Sequence, residues 1–141
     1  MMGMLACSSR TAVLDGLMPG TYHGYMSAIA EWAWCAGFFD GEGCISHKRK
    51  GNLWRLVVQQ NVRAPLDSLQ RTLGGTVYGP YTRQRSRNGV GEWSNPYWVW
   101  RLSKQKEVLE ALDLLEPYLQ VKGGQARQAV EAIRERLGIT G

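Results

Sequence analysis

Histidine and cysteine are scarce in this 141-residue chain, and long apolar runs are missing. The two histidines, His23 and His47, lie far apart, so chemistry built on clustered histidine ligands is not expected. The three cysteines, Cys7, Cys35 and Cys44, are odd in number and form no CxxC pair. They give neither a disulfide framework nor a zinc site and fit a reducing compartment. No apolar stretch approaches the roughly 20 residues that span a bilayer, so no membrane partner is expected. The opening "MMGMLACSSR" lacks a basic segment followed by an apolar one and does not read as a signal peptide. The expected location is intracellular: cytoplasm, or an organelle matrix if the gene is organellar. Acidic residues are scarce in the middle of the chain. Between Cys44 and Lys104, eleven Lys and Arg stand against only Asp67 and Glu92, although the whole chain carries just +5. A basic block of that kind fits a polyanionic partner or, on charge alone, a solvated basic face.

Apolar periodicity predicts one domain. Residues 1–25 carry little pattern and are read as a loosely attached extension, with a single domain over 26–141. "SAIAEWAWCAGFF" (27–39) reads as a helix that starts at Ser27, is apolar nearly all round and is therefore mostly buried. Its small residues Ala30, Ala33, Ala36 and Gly37 would let another helix approach closely. Residues 44–50 and 52–60 read as a hairpin about Gly51-Asn52. In the second strand Trp54, Leu56 and Val58 alternate with Arg55, Val57 and Gln59, a core face and a free face. Residues 63–73 form an amphipathic helix, 76–85 a strand broken at Gly79-Pro80, and 96–103 another strand. Helices follow over 104–119 and 124–138. The expected fold class is α+β, with an antiparallel four-stranded sheet and helices on one face. The other face would collect Ser46, Lys48, Lys50, Arg55, Gln59, Tyr81, Arg83, Arg85 and Arg101. Such a face could enter a DNA major groove, with Lys and Arg on phosphates or guanine and Gln on adenine.

The odd feature is the end of the first helix. Asp40 and Glu42 sit at the negative end of the helix dipole, which favours cations. A divalent ion would reverse that penalty, because hard cations take carboxylate and carbonyl oxygens. Gly41 and Gly43 would let the backbone turn and expose its carbonyls. Taken alone, the stretch also reads as an ordinary acidic turn.

"CAGFFDGEG" (35–43) resembles the motif of the LAGLIDADG homing endonucleases, with Cys35 where leucine is usual. "LVVQQN" (56–61), ahead of a helix ending in Leu-Gly-Gly, and "EPYLQVKGGQA" (116–126) look like later segments of that family. The resemblance covers residues 27 to about 137 and implies the αββαββα saddle fold of that family. It also implies a site-specific double-strand DNA endonuclease that hydrolyses phosphodiesters with Mg²⁺ or Mn²⁺, Ca²⁺ binding without cleavage. Carried over by position, Glu42 is the metal-binding catalytic carboxylate and the Gly41 carbonyl a second ligand. Gln60 is the water-positioning glutamine, with Gln59 the neighbouring alternative, and Lys122 is the base near the scissile phosphate. Arg63 is the nearest candidate for a second basic residue. A single motif copy implies a homodimer on a long pseudo-palindromic site, with Ala33, Ala36, Gly37 and Asp40 at its interface. An intron-RNA-binding maturase and a non-cleaving DNA-binding protein of the same fold are the alternatives, so intron RNA is a further partner to consider.

Overall fold

The computed structural model describes residues 19–83 and 95–139. Helix α1 (Pro19–Glu42) is followed by strands β1 (Gly43–Lys48) and β2 (Leu53–Gln60) and helix α2 (Ala64–Leu73). Strands β3 (Thr76–Tyr81) and β4 (Tyr97–Leu102) come next. Helix α3 (Gln105–Leu115), a 3₁₀ turn (Glu116–Tyr118) and helix α4 (Gly123–Leu137) complete the fold. The strands form one antiparallel sheet in the order β1-β2-β4-β3, which places β2 and β4 at its centre.

The alternation in β2 has the expected consequence. Trp54, Leu56 and Val58 are buried, and Trp100 and Leu102 of β4 join them. Leu66 and Leu69 of α2, Val108, Leu112 and Leu115 of α3, and Ala126, Ala129 and Ile133 of α4 close over that face with Phe39 of α1. The core is therefore a sheet covered on one side by helices, and the opposite sheet face carries the polar strand positions. None of the described helices is long and apolar enough to cross a membrane.

Several element boundaries differ from expectation. Helix α1 starts at Pro19, so Ser27 lies inside the helix and does not cap it, and the expected boundary after residue 25 falls within a continuous helix. Proline suits a first helical turn, where its missing N–H has no partner to lose. Gly20 and Gly24 lower the local propensity and conceal this extra length in the sequence. At its other end α1 runs through Glu42 and passes directly into β1 with no intervening loop. The single helix expected over 104–119 stops at Leu115, and the 3₁₀ turn contains Pro117, which cannot donate to the preceding turn. The break expected at Gly79-Pro80 is present as a register shift between Tyr78 and Tyr81, which an edge strand tolerates, but strand β3 resumes for Tyr81 alone instead of running to residue 85.

Candidate active site and nucleic-acid interface

The site lies where α1 hands over to β1. Asp40 faces the segment leading into α4. Its carboxylate accepts backbone N–H bonds from Gln120 at 2.8 Å, Val121 at 3.0 Å and Lys122 at 2.8 Å. The Lys122 ammonium turns back and donates to the Asp40 carbonyl at 2.5 Å, a cation on the negative end of α1. Burial pushes the Asp40 carboxyl up, but the N–H groups of Val121, Gln120 and Lys122 and the Lys122 charge outweigh it and hold its pKa below the ordinary value. Asp40 is thus engaged within its own chain, joining the end of α1 to the start of α4.

Glu42, two residues on, is exposed, as is Gly41. No ion pair joins Glu42 to Lys122 among the described residues. Lys122 nevertheless sits on the carbonyl two residues before it, so a carboxylate and an ammonium are held at one helix end. Gln60 is half-buried at the end of β2, opposite Trp98. Because Val58 pairs with Gly43, Gln60 lies two residues beyond that pair, about 7 Å along the strand. Gln59 points the other way and is exposed on the open face. Arg63 bonds Asp67 through its Nε at 3.1 Å across the first turn of α2, an exposed i,i+4 pair that leaves its two Nη groups outside the contact.

Two oxygen donors in one chain could hold a divalent cation here, the Glu42 carboxylate and the Gly41 carbonyl. The described residues contain no cluster of three His, Cys, Asp or Glu side chains that could hold a metal. Six-fold oxygen coordination, as Mg²⁺ demands, therefore needs donors from outside the chain, such as a phosphate, water or a second copy. The donor chemistry fits a site completed by its substrate.

Beside Glu42 runs a strip of α1 that the other described residues leave uncovered. Ala30, Ala33, Trp34, Gly37 and Gly41 are exposed along it. A methyl group added at Gly37 or Gly41 would meet nothing within 4 Å. Glycine inside a helix costs about 1 kcal/mol relative to alanine, and no close packing among the described residues requires glycine at these two positions. Ala36, expected on the same strip, instead has 0% exposure and packs into its own core. It is one residue out of phase with the open face and is unavailable to a second copy.

The open sheet face assembles most of the expected basic residues. Ser46 pairs with Arg55, Val57 with Arg101 and Gln59 with Val99, which places these residues on one side of the sheet. Lys48 ends β1 on that side and Lys50 lies in the turn that follows. Asn52 and Gly51 close that turn at positive φ. The turn is tied down by Arg136 of α4, which donates to the carbonyls of Gly51 and, at 2.8 Å, Asn52. Gln105 of α3 bonds both the N–H and the carbonyl of Trp54, at 3.0 and 2.8 Å. Helices on the covered side thus fix the basic hairpin. Tyr81 lies against Tyr97 with the rings tilted by 42° and their centres 5.6 Å apart, and the Arg83 guanidinium lies 5.5 Å from the Tyr97 ring centre. Arg85 lies outside the described residues. Two aromatic residues on this face, Tyr78 and Tyr97, were not among the expected contacts. The register shift that hides Tyr78 also keeps Tyr78 and Tyr81 on one face three residues apart, where strict alternation separates them.

No protein-family model matches the chain, and no curated protein does. Solved structures do. The chain is similar to the homing endonuclease I-CvuI, in complex with the I-CreI target at 2 mM Mg with the DNA not cleaved: 28% identity, TM-score 0.59, over 77% of this chain and 68% of I-CvuI. I-CvuI in complex with its own target at 2 mM Ca gives 26% identity and TM-score 0.59, over 78% of this chain and 69% of that one. The homing endonuclease I-TnaI matches in fold, at 21% identity and TM-score 0.51, over 76% of this chain and 74% of I-TnaI. So does the LAGLIDADG homing endonuclease I-SmaMI bound to cleaved DNA, at 16% identity and TM-score 0.54, over 76% of this chain and 37% of I-SmaMI. By fold and by the motif at 35–43, the chain resembles the LAGLIDADG homing endonucleases.

Proposed function

We propose that this chain is a site-specific, metal-dependent DNA endonuclease that works as a homodimer. The observation that carries this reading is the exposed Glu42 carboxylate at the end of α1. It lies between an uncovered strip of small residues and Lys122, at the beginning of a sheet whose open face is basic. Two copies of α1 meet along Ala30, Ala33, Gly37 and Gly41, which brings the two Glu42 carboxylates together beneath the two sheets. Like charges that close are unfavourable without a cation between them. Mg²⁺ held by Glu42 and the Gly41 carbonyl supplies water activation and stabilisation of the leaving oxygen when bound. The chain's own residues do the rest. Lys122 offsets negative charge that builds on the scissile phosphate in the transition state, and Gln60 orients water beside it. The open face positions the duplex through Lys48, Lys50 and the arginines, and a two-fold dimer favours a pseudo-palindromic site.

Glu42→Gln tests this directly. The expected result is loss of Mg²⁺-dependent cleavage of a selected duplex, with binding measured in Ca²⁺ retained. Retained cleavage would remove Glu42 from the chemistry, and lost binding would make it a structural residue.

A further inference from the structure

We infer that Arg55 and Arg101 read guanine bases, one each, in every half of the DNA site. This rests on the endonuclease reading above and names what its open face recognises. Both residues lie on that face and on the two central strands, β2 and β4. A sheet laid in a major groove turns its central strands toward the base edges, while its edge strands and hairpin tips lie nearer the phosphate backbones. Lys48, Arg49 and Lys50 occupy such a tip. Arg55 and Arg101 do not.

Their state is unlike that of ordinary surface arginines, which keep their donors in water. Both are half-buried, and in each the Nε is shielded from solvent and meets no hydrogen-bond acceptor among the described residues. The Arg101 guanidinium also lies 5.3 Å from the Tyr78 ring centre, within cation–π range. No acid pairs with either arginine within the described residues. Two partly desolvated guanidinium groups with no acid partner among the described residues, whose remaining N–H donors lie on the open face, call for a ligand that presents paired acceptors. Guanine offers O6 and N7 side by side in the major groove, matching the guanidinium fork.

The register also orders the two contacts. β1 leaves Glu42 and runs outward. Val57, the partner of Arg101, pairs with Cys44, two residues past Glu42, whereas Arg55 pairs with Ser46, four residues past it. Two strand residues advance about 7 Å, or roughly two base pairs at 3.4 Å each. Arg101 therefore reads the guanine nearer the cut, and Arg55 reads one about two base pairs farther out.

The experiment is selection from a randomised duplex library in Ca²⁺ at fixed salt, followed by affinity measurements on each single-base variant of the selected site. The wild-type chain should select two guanines per half-site at that spacing. Arg101→Ala should lose about tenfold to hundredfold discrimination at the inner guanine alone, and Arg55→Ala the same at the outer one. Arg101→Gln should move the inner preference toward adenine, a gain that mere unfolding cannot produce. Uniform weakening on all sequences, with a shallower salt dependence, would assign the arginines to phosphates and overturn the inference while leaving the endonuclease reading intact. A wild-type chain that selects no sequence would overturn both.

Discussion

Asp40→Asn separates an anchoring role from a catalytic one. In the folded chain one carboxylate receives the N–H groups of residues 120, 121 and 122 at 2.8 to 3.0 Å. Asparagine keeps one acceptor oxygen, places a donor where the other stood, and removes the charge. The comparison is with loss of a helix cap, worth about 0.5–2 kcal/mol, and solvent access favours the lower half of that range. About 1 kcal/mol in a chain of this size lowers Tm by roughly 3 °C. The pH dependence has a definite sign. The folded-state pKa of Asp40 is lowered, so its contribution is complete above the unfolded value near 3.9 and disappears as pH falls through the folded value. Melting curves followed by circular dichroism should therefore separate wild type from Asp40→Asn at pH 7 and draw them together as the pH is lowered below about 4. Curves within about 1 °C at pH 7 would refute the anchoring argument. So would a gap that stays constant into acid, since it could not come from an ionised carboxylate.

Gly37→Leu should weaken self-association in analytical ultracentrifugation without unfolding the chain, because the space beside Gly37 is open within one copy. An unchanged dimer would place the interface elsewhere. Lys122→Ala should slow single-turnover cleavage by about a hundredfold while the backbone bonds to Asp40 persist. A near-normal rate would leave Lys122 only its dipole role. Gly43→Ala should cost about 1–3 kcal/mol in denaturant unfolding. Its methyl carbon would fall 2.3 Å from a ring carbon of Phe39, which has 0% exposure and no room to retreat. A stability equal to wild type would mean that this contact relaxes freely.

The sequence disclosed most where its signal had a period. Alternation in 52–60 located the core face of β2, and the Gly-Gly pair at 74–75 marked the end of α2 at Leu73. The helix-to-strand junction is local and was legible to within a few residues: the helix expected to end at 39 runs to Glu42, and the strand expected from 44 begins at Gly43. What stayed hidden depends on contacts distant in sequence or on broken periods. Asp40 and the residues that bind it are separated by 80 positions or more, and no local pattern reports such a pairing. Ala36 and Gly37 are neighbours with the same small size, yet one faces the core and the other faces out. A helix that is apolar on every side gives no phase from which to tell them apart. Tyr78 was lost for the complementary reason. One register shift reverses the parity of the strand, so a faithful reading of alternation assigns the wrong face to one of Tyr78 and Tyr81. Tyr78 itself lies before the shift, where Thr76 still pairs with Arg101, and that regular register brings its ring centre to 5.3 Å from the Arg101 guanidinium. The change of parity therefore moves Tyr81 alone, onto the face where Tyr78 already meets an arginine.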